Sequence, residues 1–179
     1  MRSWAAIDPI EALEYANQAL DEKSERRFGI SEILAGWANE DLDAALTWAR
    51  ANHQGAEPKD NPLLVGIIKG LAENDLDAAN EIFLSLPDGS ARWQASAFLA
   101  QKYCKKGTEV AIRWADSLPM DDLRMRETIL GQLGSRLARL DLEGTAKWVS
   151  LLNQDSASER VMDNLLSHWV TQNPRNASV

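Results

Sequence analysis

The chain is poor in the residues that build covalent, metal or catalytic sites. Its 179 residues include one cysteine, Cys104, and two histidines, His53 and His168. A single thiol excludes an internal disulfide and any metal site made of several cysteines. No Ser/His/Asp or Cys/His spacing is present, so we predict no catalytic, metal-binding or cofactor-binding residues and no cofactor.

Long apolar runs and an excess of positive charge are also missing. No apolar stretch approaches the ~20 residues of a membrane-spanning helix. We therefore expect a soluble chain without a membrane partner, and the cytoplasm is the favoured compartment. The 27 acidic residues outnumber the 19 basic ones, which gives a net charge of −8. Because nucleic-acid binding depends largely on lysine and arginine, this balance argues against a nucleic acid as the main partner.

An internal repeat is the strongest signal in the chain. The segment EDLDAALTWA at 40–49 matches IDPIEALEYA at 7–16, NDLDAANEIF at 74–83, KGTEVAIRWA at 106–115 and LDLEGTAKWV at 140–149. A sixth start, QNPR, follows at 172–175. The equivalent turn residues lie 32 to 34 residues apart and are Asp8, Asp41, Asp75, Gly107, Asp141 and Asn173. A fixed period of this length is typical of stacked structural repeats.

Each unit has an apolar face on both sides of its turn residue. Counted from that residue, position +4 is always small: Ala12, Ala45, Ala79, Ala111 and Thr145. Position +7 holds Tyr15, Trp48, Ile82, Trp114 and Trp148, and position +8 holds Ala16, Ala49, Phe83, Ala115 and Val149. Upstream, position −4 holds Trp4, Trp37, Leu71, Tyr103, Leu137 and Trp169, and position −8 holds Ile33, Ile67, Leu99, Leu133 and Leu165. Such offsets form one face of an α-helix, so each unit is predicted to be two helices joined at the turn residue.

The predicted helix starts carry residues that satisfy free backbone N–H groups. An Asp or Asn at the turn is a good N-cap, and proline is tolerated directly after it, as in Asp8-Pro9. Asn61-Pro62 is predicted to begin a helix in the same way, and Ser156 with Glu159 has the spacing of a capping box. No segment alternates with period two, so no strand is predicted.

These observations predict an all-α fold with a single domain over residues 1–179. One hairpin cannot bury both of its apolar faces, so about five antiparallel helix–turn–helix repeats are expected to stack into an α-solenoid. Both termini fall inside a hairpin, and we therefore expect the chain to be part of a longer repeat array.

One unit, ARWQASAFLAQKYCKKGTEVAIRWADSLP at 91–119, resembles the tetratricopeptide repeat. The residues that fall near that family's Leu, Gly, Tyr, turn-Gly, two Ala and terminal Pro columns are Leu99, Ala100, Tyr103, Gly107, Ala111, Ala115 and Pro119. The unit departs from the pattern by one residue deleted after the turn and by Trp114 beside the second alanine column. The units are also similar to an uncharacterised bacterial repeat of the form D-P-x-x-A-L-x-W-A-x-x-L-P. The resemblance covers nearly the whole chain and implies a right-handed superhelix of the kind that binds diverse partners.

The resemblance further implies that the first helix of each unit lines a concave groove. The residues that would face a partner there are Asn39, Lys69, Glu73, Gln101, Lys105, Ser135 and Arg139. They are mixed in sign and share no single chemistry. Trp93 lies outside the repeat columns, beside Arg92 at a helix start, and is added as a candidate exposed contact.

The remaining tryptophans, the acidic pairs and the cysteine are predicted to be structural. Trp4, Trp37, Trp48, Trp114, Trp148 and Trp169 lie in repeat columns, where large aromatic residues dominate the buried area. Acidic pairs such as Asp41/Asp43 recur at helix starts, which favours capping and dipole interactions over metal ligation. Cys104 stands where other units have alanine, so a small buried thiol is expected.

The favoured function is a non-catalytic scaffold that binds a protein or peptide partner on a rigid curved surface. Three alternatives stay open. The chain could be an assembly subunit that self-associates through open solenoid ends, an enzyme on a helical-repeat scaffold, or an RNA-binding repeat that reads one base per unit.

Overall fold

The computed structural model describes residues 1–53, 57–119, 122–152 and 156–172, and these form eleven α-helices, one 3₁₀ turn and no strand. The elements are α1 (Arg2–Ala5), α2 (Pro9–Ala19), α3 (Lys23–Glu40), α4 (Leu42–Ala51), the 3₁₀ turn (Pro58–Asp60), α5 (Pro62–Asn74), α6 (Leu76–Ser85), α7 (Ser90–Lys106), α8 (Thr108–Asp116), α9 (Leu123–Leu140), α10 (Leu142–Leu151) and α11 (Ser156–Gln172). The prediction of an all-α fold is confirmed for this part of the chain.

The predicted turn residues separate consecutive helices. Each of four aspartates directly precedes a helix, and its Oδ1 accepts a backbone N–H from the first turn of that helix. The bonds run from Glu11 to Asp8 at 2.9 Å, from Ala44 to Asp41 at 3.0 Å, from Ala78 to Asp75 at 2.9 Å and from Gly144 to Asp141 at 2.9 Å. At the fourth turn in chain order, Gly107 has a φ of 126°, which glycine adopts without the strain of a side chain. The sixth, Asn173, lies outside the described residues.

The two other helix starts predicted from the sequence, at Asn61 and at Ser156, have different outcomes. Asn61 is fully buried before α5, where its Oδ1 accepts the N–H of Leu63 at 3.0 Å and its Nδ2 donates to the carbonyl of Ala49 at 2.9 Å. This side chain therefore begins α5 and also ties that start to α4. In contrast, α11 begins at Ser156, and the capping box predicted for Ser156 and Glu159 depends on a side chain that lies outside the described ones.

The chain forms two compact units, Met1–Ala95 and Ser96–Val179, and the division falls within α7. In the first unit α3 packs against α1, α2, α4 and α5, and α5 also packs against α4 and α6. The largest fully buried side chains of this unit are Ile33, Leu34, Ile67, Ile68 and Phe83. The first unit is thus three helical hairpins around α3 and α5.

In the second unit α9 has the central place. It packs against α8, α10 and α11, and α10 also contacts α8 and α11. The largest fully buried side chains here are Leu99, Ile129, Leu130, Leu133, Leu137 and Val161. Most of them come from α9, whose apolar positions recur with the helical period.

Close helix contact in the first unit depends on a glycine. A Cβ added at Gly70 of α5 would collide with the backbone and side chain of Ala35 on α3. The two first helices of successive hairpins therefore meet backbone to backbone. This is the contact that a stack of hairpins requires, since interhelical distance is set by the side chains at the crossing.

The repeat columns have nearly uniform burial. Every described residue at positions +4, +8 and −8 is buried, including Thr145, whose hydroxyl donates to the carbonyl of Asp141. The packing predicted for the column tryptophans is confirmed for Trp37, Trp114 and Trp148, which are buried, whereas Trp4 and Trp48 are only half-buried. The prediction is wrong for Trp169, which is exposed, because α9 and α10, the helices that pack on α11 within this unit, leave its side chain uncovered.

Candidate functional site

In the first unit the predicted partner-facing residues lie on α3 and α5. Asn39, Lys69 and Glu73 are all exposed. The Asn39 Nδ2 donates to the carbonyl of Ala35 at 2.7 Å, and its Oδ1 accepts from Nδ2 of Asn74 at 2.9 Å. The ends of the two helices are therefore joined on this surface by side-chain hydrogen bonds, and Asn39 lies beside the end of α5 that carries Glu73.

Trp93 lies in the first turn of α7, in the same unit. Its side chain is 60% exposed, as its place outside the repeat columns predicts. The neighbouring Arg92 guanidinium lies 5.9 Å from the centroid of the Phe83 ring, so this residue turns towards α6 while Trp93 faces solvent. An exposed indole of this kind is a suitable contact for a partner, because tryptophan offers a large apolar face and one N–H donor.

In the second unit the predicted residues lie on α7 and α9. Gln101, Lys105 and Arg139 are exposed, whereas Ser135 is half-buried. The Ser135 hydroxyl donates to the carbonyl of Gly131 at 3.2 Å, so it is engaged within its own helix. Arg139 lies one helical turn after Ser135, as Lys105 does after Gln101.

These residues occupy two equivalent positions of the repeat. Position −2 holds Asn39, Glu73, Lys105 and Arg139, and all four are exposed. Position −6 holds Lys69, Gln101 and Ser135. The side chains offer hydrogen bonding and ion pairing of both signs, which suits recognition of a polar partner.

Aromatic pairs close three of the hairpins, a feature that the column pattern did not predict. The residues at positions −4 and +7 meet across the turn, with ring centroids separated by 5.4 Å for Trp4 and Tyr15, 6.5 Å for Trp37 and Trp48, and 4.5 Å for Tyr103 and Trp114. The sequence signal was the constant spacing of eleven residues between the two aromatic positions. These pairs are structural, because both members belong to the hairpin itself.

Two of the hollows in the first unit have an acidic residue, or a histidine and a serine, in their lining. One, of about 590 Å³, is lined by Trp37, Trp48 and the acidic Asp43. The other, of about 300 Å³, has both His53 and Ser85 in its lining. The Ser85 hydroxyl donates to the carbonyl of Ile82 at 2.7 Å, so its proton is held within α6 and is not directed to the imidazole.

The described residues contain neither a metal-binding cluster nor a membrane span. Among them no three His, Cys, Asp or Glu side chains are grouped so that they could hold a metal ion. Likewise, no helix of the described part of the chain is long and apolar enough to cross a membrane. Cys104 is buried, and this burial raises the pKa of its thiol, which keeps the sulfur protonated at neutral pH.

Comparison with known proteins adds no assignment to this surface. No protein-family model, no curated protein and no solved structure matches the chain.

Proposed function

We propose that this protein is a non-catalytic helical-repeat scaffold that binds a protein or peptide partner. In this proposal the hairpins stack as a right-handed, tetratricopeptide-like solenoid, and the first helix of each hairpin carries the binding residues. Support comes from the contacts of α3 with α1 and α5 and of α9 with α11, which join first helices of successive hairpins within each unit. Stacked hairpins of this kind present one extended surface to a ligand.

The observation that carries the proposal is the contrast between two repeat positions. Position +4 is small and fully buried in all five hairpins. Position −2 is exposed in all five: it is Ala6 in the first hairpin, and in the other four it holds an amide, an acid and two bases, Asn39, Glu73, Lys105 and Arg139. Uniform burial at one position together with varied chemistry at another is typical of a scaffold whose exposed positions are adapted to a partner.

The partner is expected to be polar and of mixed charge. Glu73 can pair with a basic side chain, and Lys105 and Arg139 with acidic ones. Exposed pairs of this kind contribute little affinity individually. A partner must therefore engage several exposed side chains of one unit at once, as an extended peptide or a helix does.

The experiment begins with capture of partners from the source cell by the 179-residue chain, followed by mass spectrometry and calorimetry with the captured protein. The variants Glu73→Lys and Lys105→Glu invert the charge on first helices. Glu81→Lys, on the exposed surface of α6, makes the same charge change as Glu73→Lys but on a second helix. Circular dichroism verifies that all variants keep the wild-type helix content.

We expect Glu73→Lys or Lys105→Glu to weaken the affinity about tenfold, which corresponds to about 1.4 kcal/mol. Glu81→Lys should leave it unchanged. A captured partner whose affinity responds to Glu81→Lys but to neither first-helix variant would overturn the proposed binding surface.

A further inference from the structure

The hairpin of α3 and α4 carries a hollow with aromatic and acidic walls. This hollow, here the α4 hollow, measures about 590 Å³ and is lined by Trp37, Trp48, Asp41, Asp43 and Thr47. None of the described residues that line it is basic. The two indole rings pack against each other with centroids 6.5 Å apart, but Trp48 is only half-buried, so part of its ring stays open to a ligand.

The two carboxylates of the α4 hollow can accept hydrogen bonds from a ligand. Asp43 is exposed in the first turn of α4, and within the described part of the chain it forms no ion pair. Asp41 caps α4 through its Oδ1, which accepts the N–H of Ala44 at 3.0 Å. Because a carboxylate has about four acceptor positions, Asp41 can still accept from a bound donor. Carboxylates beside an accessible indole are groups that bind a cation.

In the second unit the equivalent face of α10 has a base of its own. A hollow of about 430 Å³ is lined there by Trp148, Lys147 and Asp116. Trp148 and Lys147 stand at positions +7 and +6, where α4 has Trp48 and Thr47. Trp148 is buried, and its Nε1 donates to Oδ1 of Asp116 at 3.4 Å. The α10 face therefore combines a tryptophan with an acid and a base, whereas the α4 hollow has tryptophans and acids without a base.

The charge of the chain is concentrated in the unit that contains this hollow. The first unit, Met1–Ala95, has 17 acidic and 8 basic residues and thus a net charge of −9. The second unit, Ser96–Val179, has 10 acidic and 11 basic residues and thus a net charge of +1. A field of one sign attracts ligands of the opposite sign, so a basic ligand is drawn to the first unit.

We propose that the α4 hollow binds an arginine side chain within a basic segment of a partner protein. The planar guanidinium stacks on the accessible part of the Trp48 ring, while its N–H groups donate to the carboxylates of Asp43 and Asp41. Further bases of the segment are held by the negative charge of the first unit, because one exposed ion pair contributes little alone. This inference rests on the proposed function, since it names the chemistry of a peptide partner, but it uses residues other than those at position −2.

Two variants change the hollow, and a third is the matched control. Thr47→Lys places an ammonium four residues after Asp43, where an acid and a base pair along a helix, and so gives α4 the base that α10 has in Lys147. Asp43→Asn removes one carboxylate and keeps the shape of the side chain. Asp77→Asn makes the same charge change at the equivalent exposed position +2 of α6, where position +7 is Ile82 and no tryptophan is present.

Fluorescence anisotropy of a labelled peptide of alternating arginine and glycine, titrated with the 179-residue chain at physiological ionic strength, gives the affinity. We expect saturable binding to the wild type and an affinity about threefold to fivefold weaker for Asp43→Asn. Thr47→Lys should weaken binding by more than about tenfold, because it places a like charge against the guanidinium. Asp77→Asn should bind as the wild type does. In NMR spectra the indole N–H signal of Trp48, assigned through Trp48→Phe, should shift when the peptide is added.

Three outcomes overturn the proposal. A wild-type chain that does not bind the arginine peptide excludes the site. Wild-type affinity of a Thr47→Lys variant that keeps its helix content and melting temperature excludes the α4 hollow as its location. Equal weakening by Asp43→Asn and Asp77→Asn would mean that the peptide is attracted by the acidic surface in general.

The failure of this inference is distinguishable from the failure of the proposed function. The peptide is synthetic and reports on the α4 hollow, whereas Glu73→Lys and Lys105→Glu are measured with the captured partner. A peptide that does not bind leaves the response of the captured partner to those two variants intact. Conversely, a captured partner that ignores both variants leaves the effect of Thr47→Lys on the peptide unchanged.

Discussion

Tyr103 and Trp114 stack across the turn at Gly107, with ring centroids 4.5 Å apart and ring planes inclined by 11°. Both side chains are almost completely buried. Stacked aromatic pairs contribute about 0.5–1.5 kcal/mol beyond the burial of their surface. The pair therefore closes the hairpin of α7 and α8 in the absence of a side-chain cap at Gly107.

Replacing Trp114 by alanine should destabilise the fold strongly. Loss of a buried tryptophan side chain is expected to lower the free energy of unfolding by about 3–5 kcal/mol. Trp93→Ala is the control, because this side chain is largely exposed and its loss should cost less than about 1 kcal/mol. Guanidinium titrations followed by circular dichroism measure both. An equal decrease in the free energy of unfolding for the two variants would contradict the buried packing of Trp114.

A methyl group added at Gly70 should weaken the contact between α3 and α5. The Cβ of Gly70→Ala meets the backbone of Ala35, which cannot move as a flexible side chain does, so we expect a loss of about 1–3 kcal/mol. Gly131→Ala is the matched control in the interior of α9, since nothing lies within 4 Å of its added Cβ. There alanine should stabilise the helix by about 0.5–1 kcal/mol. Thermal denaturation should therefore give a lower melting temperature for Gly70→Ala and a higher one for Gly131→Ala. Stabilisation by Gly70→Ala would show that α3 and α5 are not in close contact.

Asp60 should make stability depend on pH in the acidic range. Its Oδ1 accepts the N–H of Ser90, the first residue of α7, at 2.9 Å. This hydrogen bond, assisted by the charge of Lys59, holds the pKa of the Asp60 carboxyl below its ordinary 3.8. A lowered pKa in the folded state means that the stabilisation is present above the unfolded pKa and is lost as the pH falls through the folded one.

The difference in melting temperature between the wild type and Asp60→Ala is therefore expected to be largest near neutral pH and to shrink as the pH falls below 3.8. An NMR titration of the carboxyl carbon measures the pKa directly. A value above 3.8, or a difference in melting temperature that stays constant down to low pH, would contradict this cap.

Cys104 should react slowly in the folded protein. Burial raises the pKa of its thiol above the ordinary 9.0, although the charge of Arg136 acts in the opposite direction. The thiolate is the reactive form, so alkylation by iodoacetamide near neutral pH should be slower than for free cysteine and should become ordinary in guanidinium. Rapid labelling of the folded chain would show that the thiol is accessible. Cys104→Ala should change stability little, because the equivalent buried residues are Ala5, Ala38, Ala72 and Ala138.

The candidate binding surface was predictable only in part. The repeat period places Asn39, Glu73 and Lys105 at one equivalent position before the turn, and the structure shows each of them exposed on a first helix. The hydrogen bond between Asn39 and Asn74 was not predictable, because the period of one helix does not give the distance between two helices. The half-burial of Ser135 likewise follows from the neighbours of α9 and not from its repeat position.

The sequence by itself determined the hairpins. An aspartate that caps a helix contacts N–H groups two or three residues away, and an apolar face depends on offsets of three and four residues, so both are readable along the chain. Only the tertiary structure decided that Asp60 caps α7 from 30 residues away, that Tyr15 is exposed at the position where Trp114 is buried, and that Trp169 is exposed at the position where Leu137 is buried. The physical reason is that capping and periodicity are local, whereas burial depends on which helix lies alongside. Two equivalent repeat positions therefore differ in burial when only one of them has a neighbouring helix.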